Sequence, residues 1–208
     1  MALIHNTTLK PTKPQLITAW LPTRPWYHGP AAPELVKAGG FRLDDPAGEV
    51  GIEFMVVTEG SGAYLVPLTY RGAPLEGAEH ALVGTMEHGV LGTRWAYDGC
   101  HDPVMTAELR ALIEGRAVAQ AQGITDTPDR EVAREYTGPG PLPGLGAPVD
   151  TDESTEFAVS DDGLVLRLRR VLTPGSLPPA DAVGHVTGVW QQPDGTRARA
   201  LFAALQPR

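Results

Sequence analysis

The chain has 208 residues, of which 17 are basic and 25 acidic, giving a formal charge of −8. That balance repels nucleic acid and anionic membranes over long range, and 42% hydrophobic against 20% charged residues is a globular rather than a disordered composition. The length suits one ordinary core or two small ones, and 24 Gly with 20 Pro predict many turns and at least one stiff linker.

The charge is uneven: residues 154–208 hold six Arg against five acidic residues, so they carry +1 and residues 1–153 carry −9. The single cysteine, Cys100, can form no internal disulfide, which fits a reducing compartment. MALIHNTTLK at the N-terminus has no signal-peptide pattern, and no run approaches the ~18 apolar residues of a membrane helix. A soluble cytoplasmic protein is expected, with no nucleic-acid or membrane partner.

In chain order, Lys13–Trp20 is a short helix with Leu16, Ile17 and Trp20 at helical spacing, stopped by Pro22 and Pro25. Three strands follow over 35–43, 50–57 and 63–70, and Val50, Ile52, Phe54 and Val56 share one face of the middle one. DDPAGE and TEGSG supply tight turns, so an antiparallel meander is expected. Residues 71–77 form a loop and 78–90 a short helix or helical turn. Asp102 is an N-cap with Pro103 at the first helical position, opening a helix over about 103–122 that packs across the meander and stops at Gly123. Residues 137–149 hold too much Pro and Gly for a regular ladder and read as an extended connector. Strands are then expected over 155–160, 164–172, 183–191 and 196–205, with DDG and PDG turns. The fold class is α+β: an antiparallel meander with packed helices over 1–136, a linker over 137–153, and a small antiparallel sheet over 154–208. The last unit is marginal alone and should lean on the first.

Residues 91–103, LGTRWAYDGCHDP, and the residues just before them gather Glu87, His88, Arg94, Tyr97, Asp98, His101 and Asp102. Such titratable neighbours are what acid–base chemistry requires. A structural account covers most of them, however: Asp102 as cap, Asp98-Gly99 as turn, Trp95 and Tyr97 as alternate strand positions, and Arg94 as partner of a nearby carboxylate. His80 and His88 stand eight apart rather than at the spacing of four that presents two imidazoles to a metal, so no metal is expected. Cys100 beside His101 is a poor nucleophile pair, because adjacent turn residues point apart. GPGPLPGLG lacks the Lys-Ser/Thr of a phosphate loop, and its prolines withhold N–H donors. Arg167 and Arg169 share one strand face and Arg197 and Arg199 another, a stripe suited to an exposed edge face or to contact with the acidic first unit. No catalytic residue and no cofactor is expected.

WLPTRPWYHGP (20–30) and YLVPLTYRGAPLEGAEHALVGTMEHGVLGTRWAYDGCHDPV (64–104), with the helix after them, resemble the N-terminal cap domain of bacterial maltokinases, sugar kinases of trehalose and glycogen metabolism. His28 departs from the small residue expected before Gly29. STEFAVSDDGLVLRLRRVLTPGSLPPADAVGHVTGVW (154–190) is similar to the small lobe of the same kinases, where a strand Lys precedes an Arg-Arg pair, a Gly-x-x-Pro loop and a helical Glu. Aligned on Arg169-Arg170, Leu166 replaces the Lys, Arg167 faces the other way, and no Glu stands at its place. Losing a cation ~4 Å from a phosphate costs on the order of 4 kcal/mol at an effective dielectric near ~20. With the sequence ending at Arg208 before any large lobe, the resemblance implies a non-catalytic, stand-alone cap-like interaction or regulatory module with a protein partner or self-association. Its pathway link would be to trehalose or α-glucan metabolism. The rival reading is a binder of a sugar or sugar phosphate, lined by Trp26, Tyr27, Arg94, Tyr97 and His101; residual kinase activity is a distant third.

Overall fold

The structure, a computed structural model, describes residues 9–159 and 163–208. Ser160, at the end of one expected strand, and the Asp161-Asp162 part of the DDG turn lie outside the described residues. Strand β1 (Leu9–Lys10) precedes helix α1 (Lys13–Trp20), whose N-cap Thr12 and N3 residue Gln15 form a capping box. The meander is β2 (Val36–Asp44), β3 (Gly51–Glu59) and β4 (Gly62–Arg71), within a residue or two of the expected bounds. β5 (Leu82–His88) and β6 (Gly92–Asp98) form a hairpin that leads to α2 (Pro103–Glu114). Then come β7 (Ala133–Tyr136), β8 (Leu145–Asp150), β9 (Ser154–Val159), β10 (Leu164–Arg169), β11 (Gly184–Gln191) and β12 (Arg197–Pro207).

The strands form one antiparallel sheet in the order β1-β5-β6-β4-β3-β2-β11-β12-β10-β9-β8, with β7 on the free flank of β11. The chain just past β10 returns to β4: Leu65 N–H donates to Arg170 O at 2.9 Å and Leu172 N–H to Ala63 O at 2.8 Å. The run β4-β3-β2-β11-β12-β10 thereby closes into a six-stranded barrel, joined between β2 and β11 at the Gly39–Trp190 pair. Closure pairs the first part of β4, which β6 leaves free because it bonds only Leu68–Arg71, and the sheet still ends at β1 and β8. Three barrel strands come from residues before 137 and three from residues after 153, so the units expected at 1–136 and 154–208 share one core.

That core holds Phe41, Phe54, Val56 and Leu65 from the first three strands and Leu166, Leu168, Trp190 and Phe202 from the last three. Phe41 stacks on Phe54 at 4.6 Å and reaches Phe202 at 6.3 Å. Met105, Leu109, Leu112 and Ile113 of α2 enter the same cluster. At ~1.5–3 kcal/mol for each large apolar side chain removed from water, this shared interior is the main cohesive term between the two parts of the chain. The expected alternation in β3 is present: Val50, Ile52, Phe54 and Val56 face the barrel, while Met55 and Val57 lie in a second cluster under Ile17 and Trp20 of α1. On that outer face Glu53, 3% exposed, takes Lys13, Lys37, Tyr70 and Gln122 as partners. Burial raises its pKa, and the two ammonium groups and the hydrogen bonds more than reverse that, bringing it down to about 2.

Four expectations need correcting. The fold is mainly β rather than α+β with packed helices: the described residues hold two α-helices of 8 and 12 residues against twelve strands of one sheet. The helix expected over 103–122 stops at Gly115, whose φ of 79° makes the left-handed cap, not at Gly123. Residues 78–90, expected to be helical, form only the 3-10 turn Glu79–Ala81 and then β5, because pairing with β6 decides their conformation over local propensity. Part of the connector over 137–149 is strand β8, since a ladder tolerates Pro148 on an edge strand bonded only to β9, with a register shift beside it.

Candidate functional site

β6 ends at Asp98, whose carboxylate accepts the Cys100 N–H at 3.1 Å and so starts the 3-10 turn Gly99–His101. Asp102 then caps α2 by accepting from Val104 N–H at 2.9 Å, with Pro103 at the first helical position as the sequence predicts. Each of the two carboxylates also holds an arginine. Arg71, at the end of β4, makes a two-pronged contact to Asp102 at 2.7 Å through both Nε and Nη2. Arg170 gives Nη2 to both oxygens of Asp98, at 2.8 and 2.7 Å, and to the Cys100 sulfur at 3.1 Å, while its Nε donates to Thr155 Oγ1 at 2.7 Å.

The Asp98–Arg170 pair is 2% and 0% exposed, and the guanidinium lies 4.8 Å over the Trp26 ring. Burial opposes its charge, but Asp98 and its neighbours more than compensate and keep Arg170 protonated. Burial pushes the Cys100 thiol well above the usual range, so the thiolate is not formed and the sulfur is inert. Burial also raises the pKa of Asp102, and the hydrogen bonds from Arg71 and Val104, with the Arg71 charge, bring it below the ordinary value. This cluster is therefore a joint between β6, the start of α2 and the end of β10.

The candidate ligand residues fall in three places. Trp26 and Tyr27, 0% and 8% exposed, belong to the aromatic cluster under α1: Trp26 packs edge-on to Trp20 at 5.8 Å, and Tyr27 lies 5.0 Å from Tyr64. Tyr97 is buried beside Ala78 and Ala81, and its hydroxyl accepts Leu75 N–H at 2.9 Å. Trp95 borders the same cluster, as their alternate spacing predicts. His101 is half-buried against His80, Nδ1 to Nε2 at 3.1 Å. Arg94, expected beside a carboxylate, has no ion pair among the described residues and lies over Gly72, where a Cβ would meet its Nη1. Arg71 and Arg170 hold the carboxylates instead. The signal for Arg170 was in the sequence: it shares parity with Leu166 and Leu168, the core face of β10.

Leu166 is 0% exposed in the barrel core, and Arg167 on the opposite face pairs with Glu156 at 2.7 Å. Arg169 pairs with Glu153, while Arg197 and Arg199 both reach Glu131, in the N-terminal part of the chain. The expected basic stripe is thus matched by carboxylate and carbonyl oxygens. Two surface cavities, of about 400 and 490 Å³, lie over the outer face of β9 and β10 and beside the β8 edge. Neither is lined by Trp26, Tyr27, Arg94, Tyr97 or His101. Among the described residues no group of three His, Cys, Asp or Glu side chains could hold a metal, and no helix is long and apolar enough to cross a membrane.

Residues 20–102 match the family model of the maltokinase N-terminal cap domain. The match runs from the last residue of α1 to the N-cap of α2 and covers less than half of the chain. Over that stretch the chain resembles the cap domain, in agreement with the sequence reading of 20–30 and 64–104. No curated protein matches the chain.

Proposed function

We propose that this protein is a non-catalytic, cap-like interaction or regulatory module, with a protein partner or a second copy of itself as its ligand. The observation that carries the reading is the structural use already made of four reactive-looking groups in the cap-like stretch: Asp98 binds Arg170, Asp102 binds Arg71 and caps α2, Tyr97 holds Leu75, and Cys100 is a buried thiol. Leu166 supports it further, because an alkyl side chain in a sealed core cannot neutralise a phosphate where a kinase small lobe needs a cation. The association half rests on Val149 at the sheet-edge strand β8 and on Leu177, 62% and 81% exposed. A role beside trehalose or α-glucan metabolism follows the cap-domain likeness alone.

Two measurements on the purified chain test this reading. Phosphoryl transfer from ATP to maltose or glucose should be absent, and nucleotides, sugars and sugar phosphates should leave the thermal midpoint unmoved. A ligand at ~100 times its Kd would instead add ~2.7 kcal/mol. Sedimentation over a wide concentration range, with and without proteins co-purified from the source, should show a larger species. A lone monomer under all conditions, or a saturable sugar-phosphate shift, would overturn the proposal.

A further inference from the structure

The 3-10 turn Glu79–Ala81 covers the small cluster around Tyr97. Ala78 and Ala81 are buried against that ring, Leu75 and Trp95 border it, and Leu75 N–H binds its hydroxyl. This turn meets the Gly99–His101 turn through the two imidazoles, with Nε2 of His80 3.1 Å from Nδ1 of His101, centroids 4.7 Å apart and planes at 86°. A nitrogen–nitrogen contact of this length needs one ring to donate and the other to accept. Two neutral rings satisfy that, as does one imidazolium against one neutral ring. Two imidazolium rings have no acceptor between them and repel.

We propose that His80 and His101 form a proton-sensitive latch that holds the segment 72–81 over the Tyr97 cluster and opens when both rings are protonated. The inference stands on this geometry and not on the functional reading above. The charges around the pair leave its response intact. On the same turn, Glu79 accepts the Gly77 N–H, and Asp98 of β6 is bound to Arg170 from the end of β10. Asp102, at the start of α2, is bound to Arg71 of β4. Asp150 of β8 accepts from Thr155 and is the remaining carboxylate whose field favours a charged His101. Burial, the largest influence, together with the neighbouring His80 and the Arg170 guanidinium outweighs Asp98 and Asp150, so His101 titrates below the ordinary 6.5. Its folded-state value is depressed, so the latch contributes fully above the ordinary value and is lost as pH falls through the depressed one.

Hydrogen exchange of the whole chain at about pH 7.5 and about pH 5, corrected for the intrinsic pH dependence of exchange, tests the latch. Roughly tenfold faster opening over 72–82 and 99–102 is expected at the lower pH, with the barrel strands unchanged. In His80→Gln, which keeps a donor without a titrating ring, that acid response should shrink to the part that burial of His101 alone produces. An undiminished response in His80→Gln would assign it to His101 alone or to carboxylates and overturn the proposal, as would equal protection of the wild type at both pH values. Ring-nitrogen NMR of the wild-type chain provides a second readout independent of the variant's stability. A His101 ring that titrates at the ordinary imidazole value would also overturn it.

Discussion

Arg170 shows how much one side chain can decide. Its guanidinium bridges the two apolar clusters, touching Trp26 on one side and Cys100 on the other, and it pairs with a carboxylate 72 residues away in sequence. Leaving one member of a buried pair without the other strands a charge in a low-dielectric interior, at a cost of ~3–5 kcal/mol, whereas replacing both by apolar groups is often neutral. Asp98→Ala should therefore lower the urea-unfolding free energy by about that amount, and Asp98→Ala with Arg170→Met should recover most of the loss. If the double variant is as unstable as the single one, the pair contributes through its hydrogen bonds to Thr155 and Cys100 rather than by compensating charge. The sequence made the Arg169-Arg170 pair visible, and strand parity assigns Arg170 to the core. It could not say which carboxylate meets it, because Asp98 arrives from another part of the chain.

Helix α2 shows why an element's start was legible and its end was not. Asp102-Pro103 is a local signal: a side chain reaches the second backbone N–H after it, and a ring sits where no donor is needed. The stop depends on which glycine adopts the left-handed conformation. Gly115 does so at φ 79°, with the Arg134 guanidinium packed where a Cβ would stand, whereas a Cβ on Gly123 would meet nothing within 4 Å. Gly115→Ala should cost ~1–2 kcal/mol in a denaturation midpoint, and Gly123→Ala should change it by less than ~0.5 kcal/mol. Equal effects at the two sites would remove Gly115 as the helix stop. Beyond Ile113 the chain still packs inward: Ala117 and Ala119 also pack on the core, but from a loop whose Gln120 pairs with Arg42 of β2.

At the scale of the whole molecule, the barrel makes the cap-like stretch dependent on the C-terminal strands. Residues 20–102 supply β2, β3 and β4, but the other wall of their interior is β10, β11 and β12. A fragment ending at residue 153 would expose Phe41, Phe54 and Leu65 along an opened sheet and leave Asp98 buried without Arg170. It should bind a hydrophobic dye and lack chemical-shift dispersion. A dispersed, cooperatively melting spectrum from that fragment would show that the cap-like part has a core of its own.

Local rules were enough for α1, the hairpins of the meander, the alternation of β3 and the cap of α2, because each rests on residues within a few positions of one another, and the likeness to the cap domain was legible from residue order over 20–30 and 64–104. What only the tertiary structure decided were contacts between distant segments: the strand over 82–88, the return of the chain past β10 to β4, the partners of Asp98 and Asp102, and the burial of Trp26 and Tyr27. The reason is physical. A strand, a buried ion pair and a closed barrel are satisfied by groups far away in sequence, and their free energy exists only once those groups have met.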